Sequence, residues 1–173
     1  KYGVTPDIMT MAKAITNGAQ PMGAVAVRQE IHDTVVDSAD DPRMVEFFHG
    51  YTYSAHPCAC AAGLATLQIY EKEAIFERAA KLEPYFLDQL FSLEGKHGIV
   101  GLRGDGLMGG IDVAPADKPG IRGIAMTKRL WDAGMHIKFT GDCGIIAPPL
   151  ISTESHIDEM IEKIAKALAA EFG

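Results

Sequence analysis

The stretch from Pro57 to Leu93 holds almost no helix-breaking residue, and this limits the folds open to the chain. Proline is favoured in the first turn of a helix, so we expect a helix to begin near Pro57. Only Gly63 and Pro84 interrupt the pattern. The first part is small and apolar on most faces, which predicts burial, whereas the second part is amphipathic. The change near Glu71 predicts a domain boundary that the helix crosses.

The residues after about position 97 follow the pattern β-β-α-β-β-α, which predicts a small α+β domain. "GIVGLRGDGLMGGIDVAP" predicts two strands around an "RGDG" turn, and "GIRGIAMTKRLWDAG" predicts a helix that Gly134 closes. "MHIKF" and "CGIIAPP" predict strands on either side of "TGD". "STESHIDEMIEKIAKALAAEF" predicts a last amphipathic helix with Ser152 or Thr153 as its cap. The amphipathic helix expected before these strands has its apolar residues at helical spacing: Ile75, Phe76, Ala79, Leu82, Phe86 and Leu90.

The residues before about position 75 predict a piece of a larger α/β domain. "TPDIMTMAKAI" fits a strand or a short helix, and "GAVAV" fits a buried strand. Two strands at most and one buried helix cannot cover both faces of a parallel sheet. We therefore divide the chain into residues 1–75, a piece of a larger domain, and residues 76–173, a small α+β domain.

The net charge and the cysteines indicate which binding partners and which cellular compartment to expect. A net charge of −7 and a pI near 5.3 make nucleic acid an unexpected partner. No apolar run approaches the roughly 20 residues of a membrane helix. Cys58 and Cys60 lie too close on one expected helix to bridge, and with Cys143 they are interpreted as buried, reduced thiols of a cytoplasmic protein. Metal-ligand spacing for zinc is absent from the sequence.

Lys13 lies among small and apolar residues in "DIMTMAKAITNG". This local pattern leaves two roles open, and it favours a stem that lies along apolar surface with the ammonium in water. The other role is an amine held for chemistry. Such an amine needs a pKa below the ordinary value of about 10.4, and burial supplies that by disfavouring the cation. The apolar neighbours Met11 and Ile15 suit this second role.

Two long motifs, "GVTPDIMTMAKAITNGAQPMGAVAV" and "HGYTYSAHPCACAAGLATL", strongly resemble the class III aminotransferases, which are pyridoxal phosphate enzymes of fold type I. The residues of these motifs are most similar to the ω-amino acid–pyruvate (β-alanine–pyruvate) branch. The segments "GDGLMGGIDVAP" and "GDCGIIAPPL" also match that branch. Two long motifs that occur in the same order as in the family identify it far more specifically than a single glycine-rich motif would. The resemblance covers nearly the whole chain. It implies an α/β fold made of the end of the large cofactor-binding domain, residues 1–75, and the small C-terminal domain, residues 76–173.

The resemblance also implies roles for individual residues. Lys13 takes the place of the lysine that forms the Schiff base with pyridoxal 5'-phosphate and carries protons during the reaction. Thr52, in the "H-G-x-T" stretch, takes the place of a threonine that donates to the cofactor phosphate of the neighbouring subunit. A loop threonine that bonds its own backbone is the alternative. His56 more plausibly fixes the loop and the helix start than titrates.

Lys138 marks a departure from the family pattern. The branch usually has an arginine here that grips a substrate carboxylate, whereas this chain has "IKFTGD". Lysine keeps the charge but loses the planar fork of the guanidinium. Substrate binding by Lys138 and a solvated strand lysine are therefore both open.

The activity implied for the full-length enzyme is transfer of an amino group from an ω-amino acid or amine to pyruvate or another 2-oxo acid. Another class III enzyme (an ornithine, γ-aminobutyrate or diamine aminotransferase, or an aminomutase) and a non-catalytic fragment that only binds partners are the alternatives. In the family, the acid that pairs with the pyridine nitrogen, a glycine-rich phosphate turn and an aromatic that stacks on the ring lie in the N-terminal part. No motif here supplies them, so we expect the isolated chain to be inactive.

A homodimer, or a tetramer built from two dimers, is the assembly that the resemblance implies. The "HGYTYSAHP" region and its flank contain four aromatic residues, which suit a subunit interface. The alternative is that they fill the core beneath the loop. These residues are Phe47, Phe48, Tyr51 and Tyr53.

Overall fold

The computed structural model describes residues 2–41, 43, 44, 47 and 49–173, and the chain divides into two compact units, 1–73 and 74–173. The first unit contains strand β1 (Ile8–Ala12), a short 3₁₀ helix (Lys13–Ile15), strand β2 (Gly23–Val27), and the helices α1 (Gln29–Val36) and α2 (Pro57–Lys72). β1 and β2 pair antiparallel, with Ile8 opposite Val27 and Ala12 opposite Gly23. α2 begins at Pro57, as the sequence predicted.

The burial expected for the first unit is wrong. β2 is a strand, but most of its residues are exposed, because β1 is its only neighbour in the described sheet. α2 buries only a stripe of small residues: Ala59, Gly63 and Thr66. Its larger apolar residues are exposed, with Leu64 at 62% and Leu67 at 57%. Small size on most faces therefore did not indicate burial.

The helix does not cross the boundary between the two units. α2 ends at Lys72 and helix α3 (Ile75–Phe91) begins three residues later. Between them Ala74 has φ of +47°, in the left-handed region, which a continuous right-handed helix excludes. The predicted crossing is wrong because this break depends on the backbone of one alanine, a residue that ordinarily favours helix.

The second unit confirms the predicted order of strands and helices. α3 is followed by β3 (Ile99–Asp105), β4 (Met108–Val113), α4 (Ile121–Asp132), β5 (Lys138–Thr140), β6 (Cys143–Ile146) and α5 (Glu154–Phe172). The four strands form one antiparallel sheet in the order β3-β4-β6-β5. Gly134 follows α4 with φ of +75°, and Thr153 is the N-cap of α5.

The core of the second unit joins the three helices to the sheet. Phe86 and Leu90 of α3 are fully buried, as the amphipathic pattern predicted, whereas Phe76 is exposed. The other core side chains with almost no exposure come from α4, α5, the central strands and the residues after α3: Leu93, Ile111, Val113, Met126, Leu130, Ile146, Ile157, Ile164 and Leu168. Among the described residues, no helix has both the length and the apolar content to cross a bilayer.

Candidate active site

The Lys13 turn, residues 13–20, connects β1 to the segment before β2. Lys13 itself has φ of +56°, in the left-handed region that non-glycine residues rarely adopt. For an L-residue this conformation costs roughly 1–2 kcal/mol. Thr16 N–H donates to the Lys13 carbonyl at 3.2 Å. Strain of this kind persists only where the surroundings hold it, and it is concentrated at functional sites.

Two contacts hold the Lys13 turn in place. Thr16 is only 2% exposed, and its Oγ1 donates to the carbonyl of Gln20 at 2.7 Å. From α2, the Tyr70 hydroxyl donates to the carbonyl of Ala14 at 2.7 Å and lies 3.3 Å from Asn17 Oδ1. Each such bond contributes about 1 kcal/mol. The sequence reasoning did not single out Tyr70, since a partner 56 residues away leaves no local signal.

Helix α2 packs closely against the same turn at Gly63. A methyl group placed on Gly63 would lie 3.6 Å from the carbonyl oxygen of Ile15 and 3.4 Å from Met22 Sδ. At Gly63, the small stripe of α2 therefore lies next to the backbone of Ile15.

The Lys13 side chain is exposed, which corrects the expected apolar setting. Met11 and Ile15 are only half-buried, and Ala12 and Ala14 are exposed beside the lysine. The amine is therefore accessible to solvent.

The loop that contains Thr52 is fixed mainly by its backbone and by Ser54. Tyr51 N–H donates to Ser54 Oγ at 3.0 Å, and Ser54 N–H donates to the Tyr51 carbonyl at 2.9 Å. Ala55 has φ of +58°, which turns the chain toward α2. Thr52 is exposed. The side-chain hydrogen bond that holds this loop comes from Ser54.

His56 lies where the loop enters α2. Its N–H donates to the Tyr53 carbonyl at 3.1 Å, and its carbonyl accepts from Cys60 N–H at 3.0 Å. The rings of Tyr53 and His56 meet edge to face at 5.9 Å. A shallow pocket of about 220 Å³ adjoins them, lined in part by Met22 and Ala59. His56 is the N-cap of α2, but its side chain makes no capping hydrogen bond, so the role expected for His56 stays a prediction.

The aromatic residues of the loop do not fill a core within the described chain. Phe47 is 63% exposed, and Tyr51 and Tyr53 are each 78% exposed. Phe48 lies outside the described residues. The alternative in which these rings pack beneath the loop therefore has no support from the three residues described.

Lys138 belongs to the second unit, whereas Lys13 and Thr52 both belong to the first. It opens β5, an edge strand of the sheet, and pairs with Ile145. Its neighbour Ile137 is buried and Lys138 is exposed, so the lysine lies away from the core. In the first unit Asp7 forms an ion pair with Arg28 at 3.1 Å, which accounts for that acid structurally.

The three cysteines are free thiols, but they are not buried as expected. Cys58 is exposed, and Cys60 and Cys143 are half-buried. Cys143 Sγ lies 2.9 Å from Arg103 Nη2, and Arg103 also pairs with Asp112. Burial raises the pKa of the Cys143 thiol, and the nearby Asp112 carboxylate raises it further. The Arg103 guanidinium opposes this shift, but the pKa of the thiol stays above its ordinary value.

Comparison with known proteins gives the class of fold first. The omega transaminase from Pseudomonas jessenii, solved in complex with PMP, superimposes with a TM-score of 0.89 at 28% identity. The match covers 98% of this chain and 39% of that chain. The fold is thus that of part of a fold type I transaminase. The aminotransferase class-III family model matches residues 1–168, and the chain belongs to this family of pyridoxal-phosphate-dependent enzymes.

Several curated relatives match at higher identity. An omega-aminotransferase of Caulobacter vibrioides is 47% identical over 97% of this chain, and a beta-alanine–pyruvate aminotransferase of Pseudomonas aeruginosa is 42% identical over 96%. A gamma aminobutyrate transaminase of Solanum lycopersicum is 34% identical over 97%. The chain spans 38% of the length of the first two relatives and 33% of the third.

Proposed function

We propose that this chain forms part of an aminotransferase that moves an amino group from an ω-amino acid or amine to pyruvate or another 2-oxo acid. The observation that carries the proposal is Lys13, an accessible amine on a left-handed turn that α2 holds in place. The higher identity to the relatives named for omega and beta-alanine substrates supports this donor class. Residues 1–75 are proposed to belong to the cofactor-binding domain of that enzyme.

The donor set of the first unit fits part of what pyridoxal phosphate requires. When bound, this cofactor supplies an aldehyde for an amine and a ring that accepts electrons from the substrate carbon. Lys13 Nζ provides the amine that binds the aldehyde. Lys13 Nζ would also be the group that accepts the proton from the substrate carbon and returns it. The strained turn fixes where that nitrogen lies.

The reactive amine is tested by covalent trapping in the full-length protein. With pyridoxal phosphate added, borohydride reduction followed by peptide mapping is expected to label Lys13. Lys138→Ala serves as the matched lysine variant and should leave this label unchanged. Labelling at another lysine, or full activity in Lys13→Ala, would contradict the assignment.

Thr52 is proposed to contact the cofactor phosphate of a neighbouring subunit in a homodimer. Its exposed hydroxyl can donate to a phosphate oxygen, and the exposed rings of Tyr51 and Tyr53 suit an interface. A mixed dimer of Lys13→Ala and Thr52→Ala subunits tests this. If Thr52 serves the partner, both lesions fall in one site and about half the activity remains. Low activity, with one lesion in each site, would contradict action across the interface.

Lys138 is proposed to attract the carboxylate of the substrate through its charge. Lys138→Arg restores the planar fork and should lower KM for a carboxylate-bearing donor more than for a simple amine. If Lys138→Arg leaves the KM of each donor at its wild-type value, Lys138 is only a solvated strand residue.

A γ-aminobutyrate transaminase is the second candidate, because such an enzyme also matches this chain. A panel of β-alanine, γ-aminobutyrate and simple amines, each with pyruvate, separates the two by kcat/KM.

The purified 173-residue chain is expected to show no turnover, since it provides an amine and a hydroxyl without the other cofactor contacts. A cytoplasmic location stays a prediction.

A further inference from the structure

The hydroxyl of Tyr70 on α2 contacts the polar backbone of the Lys13 turn. It donates to the carbonyl of Ala14 at 2.7 Å, and Ala14 directly follows the strained Lys13. It also lies 3.3 Å from the side chain of Asn17, which has φ of +49°. The turn therefore contains two non-glycine residues with left-handed backbone, Lys13 and Asn17. The Tyr70 hydroxyl contacts the carbonyl that follows the first and the side chain of the second.

We propose that Tyr70 is a positioning residue for Lys13: its hydroxyl ties α2 to the Lys13 turn and so fixes the direction of the lysine amine. This inference rests on the proposed role of Lys13. The Ala14 carbonyl lies in the peptide plane between Ala14 and Ile15, directly after the plane that Lys13 shares with Ala14. A bond to this carbonyl therefore restrains the backbone of the residue that follows the lysine. The lysine stem is long and exposed, and its aim depends on the backbone of the turn.

The close packing of α2 makes the contact rigid. Gly63 lies two helical turns before Tyr70 on α2, and its backbone approaches the carbonyl of Ile15. The helix therefore meets the turn at two points, one by the close approach of backbone at Gly63 and one by a hydrogen bond. A phenylalanine at position 70 keeps the ring packing and removes only the hydrogen bond, so Tyr70→Phe isolates the hydroxyl.

The test compares Tyr70→Phe with Tyr85→Phe in the full-length protein loaded with pyridoxal phosphate. Tyr85 is the matched control, because its hydroxyl also joins two elements, donating to Asp158 on α5 at 2.6 Å, in the second unit. Amide hydrogen exchange is followed at Thr16 and Ala19, whose N–H groups bond within the Lys13 turn. In Tyr70→Phe these amides should exchange about fivefold faster, which corresponds to the loss of one ordinary hydrogen bond.

The kinetic result separates positioning from a purely structural role. In Tyr70→Phe, kcat should fall about five- to tenfold with the KM for the amino donor unchanged, because the amine is misdirected while the substrate pocket is intact. Tyr85→Phe should leave kcat and the exchange at Thr16 unchanged. Unchanged exchange in Tyr70→Phe overturns the proposal, and so does faster exchange with an unchanged kcat.

Failure of the proposed function gives a different result. If Lys13→Ala keeps its activity and its borohydride label lies elsewhere, the role of Lys13 is wrong. The exchange measurement still reports whether Tyr70 holds the turn. If Lys13 is labelled but Tyr70→Phe changes neither exchange nor kcat, only the positioning role is wrong.

Discussion

A single methyl group at Gly123 should destabilise the second unit, although alanine is the better helix former. Gly123 lies in the first turn of α4, and an added Cβ would lie 1.9 Å from the carbonyl oxygen of Gly141. Van der Waals contact begins near 3.4 Å, so the helix and the β5–β6 turn must separate by about 1.5 Å. The clashing atom is backbone, so no side-chain rotation relieves the contact.

The size of the effect follows from what that separation breaks. Asp142 Oδ1 accepts from Gly123 N–H at 3.0 Å, and Asp142 Oδ2 accepts from Gly120 N–H at 2.7 Å. A hydrogen bond to a charged group contributes about 1.5–3 kcal/mol, and overpacking costs about 1–3 kcal/mol. The gain in helix propensity from glycine to alanine is at most about 1 kcal/mol. We therefore expect Gly123→Ala to lower the free energy of unfolding by about 3 kcal/mol.

Urea unfolding, followed by circular dichroism and by the fluorescence of Trp131 on α4, measures this change. Gly63→Ala is the matched control, because it is also a glycine-to-alanine change inside a helix. Its new Cβ would lie no closer than 3.4 Å to other atoms. That variant should be neutral or more stable by up to about 1 kcal/mol. An unfolding midpoint for Gly123→Ala at or above that of the wild type would refute the reasoning.

Three further changes test the second unit. Phe86→Ala removes a fully buried ring from the core and should cost about 3–5 kcal/mol in urea unfolding; a loss below about 1 kcal/mol would contradict the core assignment. The Arg129 guanidinium, with a second arginine, lowers the pKa of Glu171 below its ordinary value of 4.5. Its contribution to stability is thus complete above about pH 4.5 and lost as pH falls through the lower folded pKa, so Glu171→Gln should flatten the fall of Tm in acid, and an unchanged slope would count against it. The hydrogen bond to Asp158 raises the pKa of Tyr85 to about 12, so tyrosinate absorbance should contain a component near that pH which Tyr85→Phe removes.

The strands and helices of the second unit were predictable because each has a strong local signal. The spacing of apolar residues along α5 and the turn at Gly106 depend on residues close together in sequence. Those elements therefore form where the sequence predicted. The residue pattern around Lys13 and Thr52 indicated the family, which the comparisons bear out. The roles of these two residues and of Lys138 stay predictions.

Local sequence by itself determined the order of the elements in the second unit and the start of α2 at Pro57. It left the stretch around Lys13 open between a strand and a short helix, and it did not predict α1. Tertiary structure alone decided which residues of the first unit are buried, where the helix breaks at Ala74, and that Tyr70 bonds the Lys13 turn. The physical reason is the range of the interactions. Periodicity and capping act over a few residues, whereas burial and the bond from Tyr70 depend on groups that only the folded chain brings together.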